Sequence, residues 1–136
     1  MSNLYQKALI EHHKSPFGFE VSLNASHQAS GENLACGDEI NITVETSDDI
    51  IVQVAFHGES CAICRASASI LCKTIRNKTL KDAKVMLQNV QNQLQNKETT
   101  TELMLEDFSP LIAVKAYPVR LQCAKLPWAT FERAFS

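Results

Sequence analysis

The chain has 136 residues, 45% hydrophobic and 21% charged, with a formal net charge of -2. That size and composition suit one globular domain around a single core, residues 1-136, and the weak charge supplies no basic field for nucleic acid or anionic lipid, so neither is expected as a partner. No apolar run approaches the roughly 20 residues that span a bilayer and the opening residues carry no signal-like apolar stretch, so no membrane association and a cytoplasmic location are expected.

In chain order, Leu4, Tyr5, Ala8, Leu9 and His12 recur at helical spacing behind Ser2 as N-cap, and predict a helix that ends before Pro16 and Gly18. Residues 19–38 are irregular, apart from a short strand around His27–Ala29. Ile40, Ile42 and Val44 then alternate with polar residues. After a turn at Ser47, Asp48 and Asp49, Ile50, Val52, Val54 and Phe56 share one face, which together predicts a β-hairpin. Past Cys61 the period becomes helical through Ile63, Ala66, Ile70 and Thr74, with Ser60 placed to cap.

A further helix starts at Thr79, with Asp82 in a capping-box-like position and Ala83, Met86, Leu87, Val90 and Leu94 on one side, and the polar stretch 91–102 closes it. A short helix follows around Ser109–Val114. Trp128, Phe131 and Phe135 mark the last one, with Pro127 expected in its first turn, where a missing N–H costs little. This order predicts an α+β fold: a small antiparallel sheet of about three strands packed against several helices.

Five cysteines, an odd number, argue against a disulfide framework and turn attention to metal, sulfur or redox chemistry. Cys36 with Asp38, Cys61 and Cys123 each fall at an expected element boundary, where ligands and nucleophiles are held by a rigid scaffold. Hairpin strands running out and back bring 36–38 near 61; only Cys123 must come from elsewhere in the fold. Three thiolates and a carboxylate can complete a tetrahedral Zn²⁺ site. The same residue types are equally readable as unpaired thiols beside a turn-capping aspartate.

Cys61, at a helix start, gains thiolate character from free N–H groups. Cys64 forms a Cys-x-x-Cys pair with it, readable as a redox dithiol or half a zinc clip, whereas Cys72 reads as a small core residue. His12 and His13 suit the helix dipole, His57 ends a strand within possible range of the cysteines, and Arg120 either steers an anionic partner or is a solvated surface cation.

The segments Ala35-Cys36-Gly37-Asp38, Cys61-Ala62-Ile63-Cys64-Arg65 and Tyr117-Pro118-Val119-Arg120-Leu121-Gln122-Cys123 together resemble the U-type iron-sulfur cluster assembly family, the IscU, SufU and NifU N-terminal group. The likeness runs over nearly the whole chain and is closer to SufU. The interval between Cys61 and Cys123 is long, and Gln122 stands where IscU-type chains place a histidine.

The resemblance implies a SufE/NifU-like fold and a zinc-dependent sulfurtransferase that accepts persulfide sulfur from a PLP-dependent cysteine desulfurase of the SufS type, for delivery to downstream iron-sulfur assembly proteins. It further implies Cys36, Asp38, Cys61 and Cys123 as zinc ligands, Cys36 as the sulfur acceptor and Arg120 at the desulfurase interface; Cys64 departs from the family, which commonly has a small or apolar residue there, and is readable as an accessory thiol. The alternative it leaves is a non-catalytic scaffold carrying a [2Fe-2S] cluster on the same ligands.

Overall fold

The computed structural model describes residues 3–95 and 109–135. Helix α1 (Asn3–Lys14) is followed by strands β1 (His27–Asn33), β2 (Asp38–Ser47) and β3 (Ile50–His57). Helices α2 (Ala62–Ile75) and α3 (Leu80–Leu94) come next, then the short α4 (Ser109–Ile112), a 3₁₀ turn (Ala113–Ala116) and α5 (Pro118–Arg133). The strands form one antiparallel sheet in the order β1-β2-β3. The expected α+β architecture is therefore the one found. Ser2 and the polar residues 96–102 lie outside the described residues.

The β2–β3 turn is made by Asp48 and Asp49, both at positive φ (50° and 63°), the conformation that matches a two-residue turn to the twist of the flanking strands. One expectation fails just beyond it. Glu45 pairs with Gln53 but Thr46 pairs with Ile51, so Val52 is an extra residue in the ladder. This bulge reverses the alternation: Ile51 is buried, while Ile50 and Val52 are exposed. Strand β1 is longer than expected because its pattern is half-exposed and largely polar, with no apolar alternation to announce it.

The core lies between the sheet and the helices, with Ile40, Ile42, Val44, Val54 and Phe56 from the sheet meeting Ile70, Leu71, Ile75, Leu94, Trp128 and Phe131. The buried hydroxyls inside it are paired. Ser67 Oγ donates to the Ala124 carbonyl at 2.6 Å and accepts from Trp128 Nε1 at 2.9 Å, which ties α2 to α5. Thr79 caps α3 by accepting from Asp82 N–H at 3.1 Å.

Helix α5 starts earlier than expected, because Pro118 occupies the first helical position, where its fixed φ and absent N–H cost nothing. Two corrections follow. Cys123 lies within α5 rather than before it, and Pro127 is interior rather than in the first turn. The interior proline leaves the Cys123 carbonyl without its usual i+4 donor, a cost of about 3 kcal/mol. Buried Trp128, Thr130 and Phe131 on the same stretch offset it. Among the described residues no helix is long and apolar enough to cross a membrane.

Candidate metal and thiol site

The β1–β2 connection is a four-residue turn, Leu34-Ala35-Cys36-Gly37, closed by the Asn33–Asp38 pair. Cys36 N–H donates to the Asn33 carbonyl at 3.2 Å, and Gly37 has φ +70°, a conformation a side chain at that position resists. The glycine lets the chain reverse between Cys36, half-buried in the turn, and Asp38, which is 2% exposed at the start of β2. Paired residues of an antiparallel ladder face the same side, so the side chains of Asn33 and Asp38 converge below the turn.

The hairpin delivers the second piece. Glu39 N–H donates to the Glu59 carbonyl at 2.7 Å, continuing the β2–β3 pairing past His57 and carrying the chain back beside Asp38. Cys61 N–H donates to Asp38 Oδ1 at 2.7 Å, and Cys61 Sγ stands 3.7 Å from Asp38 Oδ2. Cys61, not Ser60, is the N-cap of α2: its backbone is extended and its sulfur accepts from Cys64 N–H at 3.5 Å. A cysteine there sees the positive end of the helix dipole, as expected of a residue at the helix start.

The third piece comes from α5, which crosses β1 at close range. A Cβ built on Gly31 would collide with Thr130 Oγ1, and Arg133 donates to the Ser30 carbonyl beside it. That approach brings Cys123 behind the turn. Its sulfur is 2.9 Å from Cys36 Sγ, 3.6 Å from the Val119 carbonyl and 3.8 Å from Asn33 Nδ2. Cys123 is 0% exposed. Burial pushes its thiol up from the ordinary value, and hydrogen bonds toward Cys36, Asp38 and Cys61 add to the shift.

Donor atoms of Cys36, Asp38 and Cys123 all lie within 4.8 Å of one another. Cys61 falls outside that set and adjoins it through Asp38. Tetrahedral Zn²⁺ with sulfur at about 2.3 Å and oxygen at about 2.1 Å separates its donors by roughly 3.6–3.8 Å. The Cys61–Asp38 contact of 3.7 Å already has that length. The Cys36–Cys123 pair, at 2.9 Å, would open by about 0.9 Å to reach it. In number and chemical type the donors fit zinc.

Other expected residues fall at the margin. Arg120 is exposed in the first turn of α5, after exposed Tyr117 and Val119. Cys64 is fully buried, its thiol held protonated chiefly by desolvation and next by the negative charge of Asp38. Cys72 is buried as expected and is likewise pushed up by desolvation. His57 is exposed and stands apart from the donor set.

His12 lies in the last turn of α1, as expected, and its ring is also buried and shares a 2.7 Å hydrogen bond with Ser69 Oγ across α1 and α2. Asn33 escaped sequence reasoning. Its only signal is its place three residues before Cys36, and its approach to Cys123 is set by the packing of α5.

The sequence pattern of the family described as the NifU-like N-terminal domain matches residues 4–124. The chain belongs to that family. It is 33% identical over 133 residues to the zinc-dependent sulfurtransferase SufU of Bacillus subtilis, covering 98% of this chain and 90% of that one. It is 27% identical over 134 residues to the iron-sulfur cluster assembly scaffold protein IscU of Streptococcus pyogenes, covering 98% and 84%. Among solved structures, one described as an iron-sulfur cluster assembly scaffold for the SUF system of Fervidobacterium islandicum superposes with a TM-score of 0.86 at 32% identity over 100% of both chains. A NifU-like N-terminal protein from Brucella abortus shares the fold, with a TM-score of 0.79 at 16% identity over 96% and 91%.

Proposed function

We propose that this chain serves iron-sulfur cluster assembly as a zinc-dependent sulfurtransferase: Cys36 accepts persulfide sulfur from a PLP-dependent cysteine desulfurase of the SufS type, and the sulfur passes to downstream assembly proteins. The observation that carries the reading is a reachable thiol, Cys36, set directly against a buried carboxylate and a buried thiol, Asp38 and Cys123, with Cys61 alongside. The SufU-like relative points the same way. Cys36, Asp38, Cys61 and Cys123 would hold the zinc, and zinc when bound supplies the positive charge that keeps such thiols deprotonated.

The chain's own residues do the rest. Cys36, at the turn, is the sulfur a partner can reach; Cys123 is shut inside. The Cys36 thiolate attacks the outer sulfur of the partner's persulfide, a new S–S bond forms on Cys36, the partner's S–S bond breaks and its cysteine leaves as thiolate. Gly37 and the Asn33–Asp38 pair fix the turn that presents Cys36. Exposed Leu34, Tyr117 and Val119 rim the approach, and Arg120 supplies a cation for an acidic partner surface. A single domain in the cytoplasm suits this role, because reducing conditions keep the acceptor thiol free.

The IscU relatives favour a second reading, a scaffold that carries a [2Fe-2S] cluster on the same residues. Desulfurase turnover measured with wild type and Cys36→Ala separates the two. Stimulation by the wild type that vanishes in the variant supports transfer. A stable coloured cluster that moves to an apo-acceptor, with turnover unaffected, supports the scaffold.

A further inference from the structure

The two sulfurs of Cys36 and Cys123 are 2.9 Å apart and unbonded, yet they differ completely in access. Cys36 is half-buried in a turn, whereas Cys123 is 0% exposed inside α5. A reagent from solvent therefore meets Cys36 first, and whatever sulfur group it leaves there has Cys123 directly behind it. We propose that Cys123 is the resolving thiol of Cys36, displacing a sulfur group carried by Cys36 and closing a Cys36–Cys123 disulfide.

The exchange balances in two steps. The Cys36 thiolate attacks a disulfide RS–SR; a Cys36–SR bond forms, the RS–SR bond breaks and one RS⁻ leaves. Cys123 Sγ then attacks Cys36 Sγ; the Cys36–Cys123 bond forms, the Cys36–SR bond breaks and a second RS⁻ leaves. The Cys123 proton, directed at Cys36 Sγ in the resting pair, is taken up by the departing RS⁻, which leaves as RSH. Two protein thiols are oxidised and one RS–SR is reduced to two thiols. With a persulfide on Cys36 the leaving group is hydrosulfide, and a dithiol resets the pair; that case rests on the sulfur-accepting role proposed above, while the disulfide case stands without it.

Geometry selects Cys123 over its neighbours. Cys61 Sγ is engaged with Asp38 Oδ2 and Cys64 N–H, and Cys64 is fully buried and lies outside the group of donors that contains Cys36. Attack within a preset pair needs no second encounter, so the closing step is unimolecular and its rate does not depend on probe concentration. The oxidised pair also withdraws two donors from the metal site, so loss of metal and closure of the disulfide reinforce each other.

The test uses the chelator-treated chain and an aromatic disulfide whose released thiolate is coloured. The expected result is a second release that follows the first at a rate independent of probe concentration, with peptide mapping of the product recovering Cys36 joined to Cys123. In Cys123→Ser the probe stays on Cys36 and the second release is lost. Recovery of wild type with the probe still on Cys36, or with Cys36 joined to Cys61 or Cys64, overturns the proposal; this mapping decides the matter even if the variant does not fold. Because the probe needs no desulfurase, intact closure in a chain that fails to accept persulfide would sink only the transfer reading.

Discussion

The carboxylate of Asp38 faces Cys61 twice: one oxygen accepts the Cys61 backbone N–H at 2.7 Å, and the other lies 3.7 Å from the Cys61 sulfur. A single side chain therefore fixes where α2 begins and contributes a donor to the thiol cluster. Asp38→Ala leaves a buried amide unpaired and is expected to cost about 1–3 kcal/mol of stability. Asp38→Asn keeps an acceptor for that amide and loses the charge. Thermal melting beside zinc titration should show Asn near wild type in stability with weakened zinc binding, and Ala impaired in both.

The close crossing of α5 over β1 holds Cys123 behind the turn. Gly31→Ala would drive a methyl group into Thr130 Oγ1, so Thr130 must turn out of its 2.8 Å hydrogen bond to the Leu126 carbonyl or α5 must lift from β1, at a cost of about 1–3 kcal/mol. The variant should melt earlier and also bind zinc more weakly, although Gly31 touches none of the thiols. Unchanged zinc affinity would mean that the α5 position does not control the site.

Thiols held protonated in the fold make the metal-free protein sensitive to alkali. Above the ordinary thiol value of 9.0 the unfolded chain gives up protons that folded Cys64 and Cys72 retain. The folded state then binds more protons, and stability falls as pH rises, by up to about 1.4 kcal/mol per pH unit per thiol. Denaturant melts of the chelated chain through that range should show this decline, and Cys72→Ala should make it shallower.

Zinc binding should carry the opposite pH dependence. Burial holds the Cys123 proton beyond the ordinary thiol range, and a metal must expel it. Apparent zinc affinity is therefore expected to strengthen as pH rises, by about tenfold per unit for each proton released. Competition with a chelator of known affinity at several pH values checks both the sign and the slope.

The β2–β3 hairpin was legible because apolar and polar residues alternate through Ile40, Ile42 and Val44, and its geometry alone places Asp38 beside Cys61. The Val52 bulge was not, since nothing in a run of apolar residues marks which one is extra. Strand β1 was cut short because Gln28, Ser30 and Glu32 carry no hydrophobic signal. Pro127 reads as a first-turn residue because a proline inside a helix is costly, whereas Pro118, which opens α5, stands in a stretch with no apolar helical spacing to mark a helix start. The meeting of Cys123 with Cys36 and Asn33 is a product of tertiary packing, and local pattern carries no trace of it.

The account turns on donors from β2, its preceding turn, the start of α2 and the interior of α5 enclosing one cation. X-ray absorption at the zinc edge on protein loaded with one equivalent of metal reads that shell directly. The expected spectrum has three sulfurs at about 2.3 Å and one light atom near 2.0–2.2 Å, with a sulfur lost in each of Cys36→Ser, Cys61→Ser and Cys123→Ser. A shell made of nitrogen and oxygen alone, or one that the three substitutions leave unchanged, would contradict it.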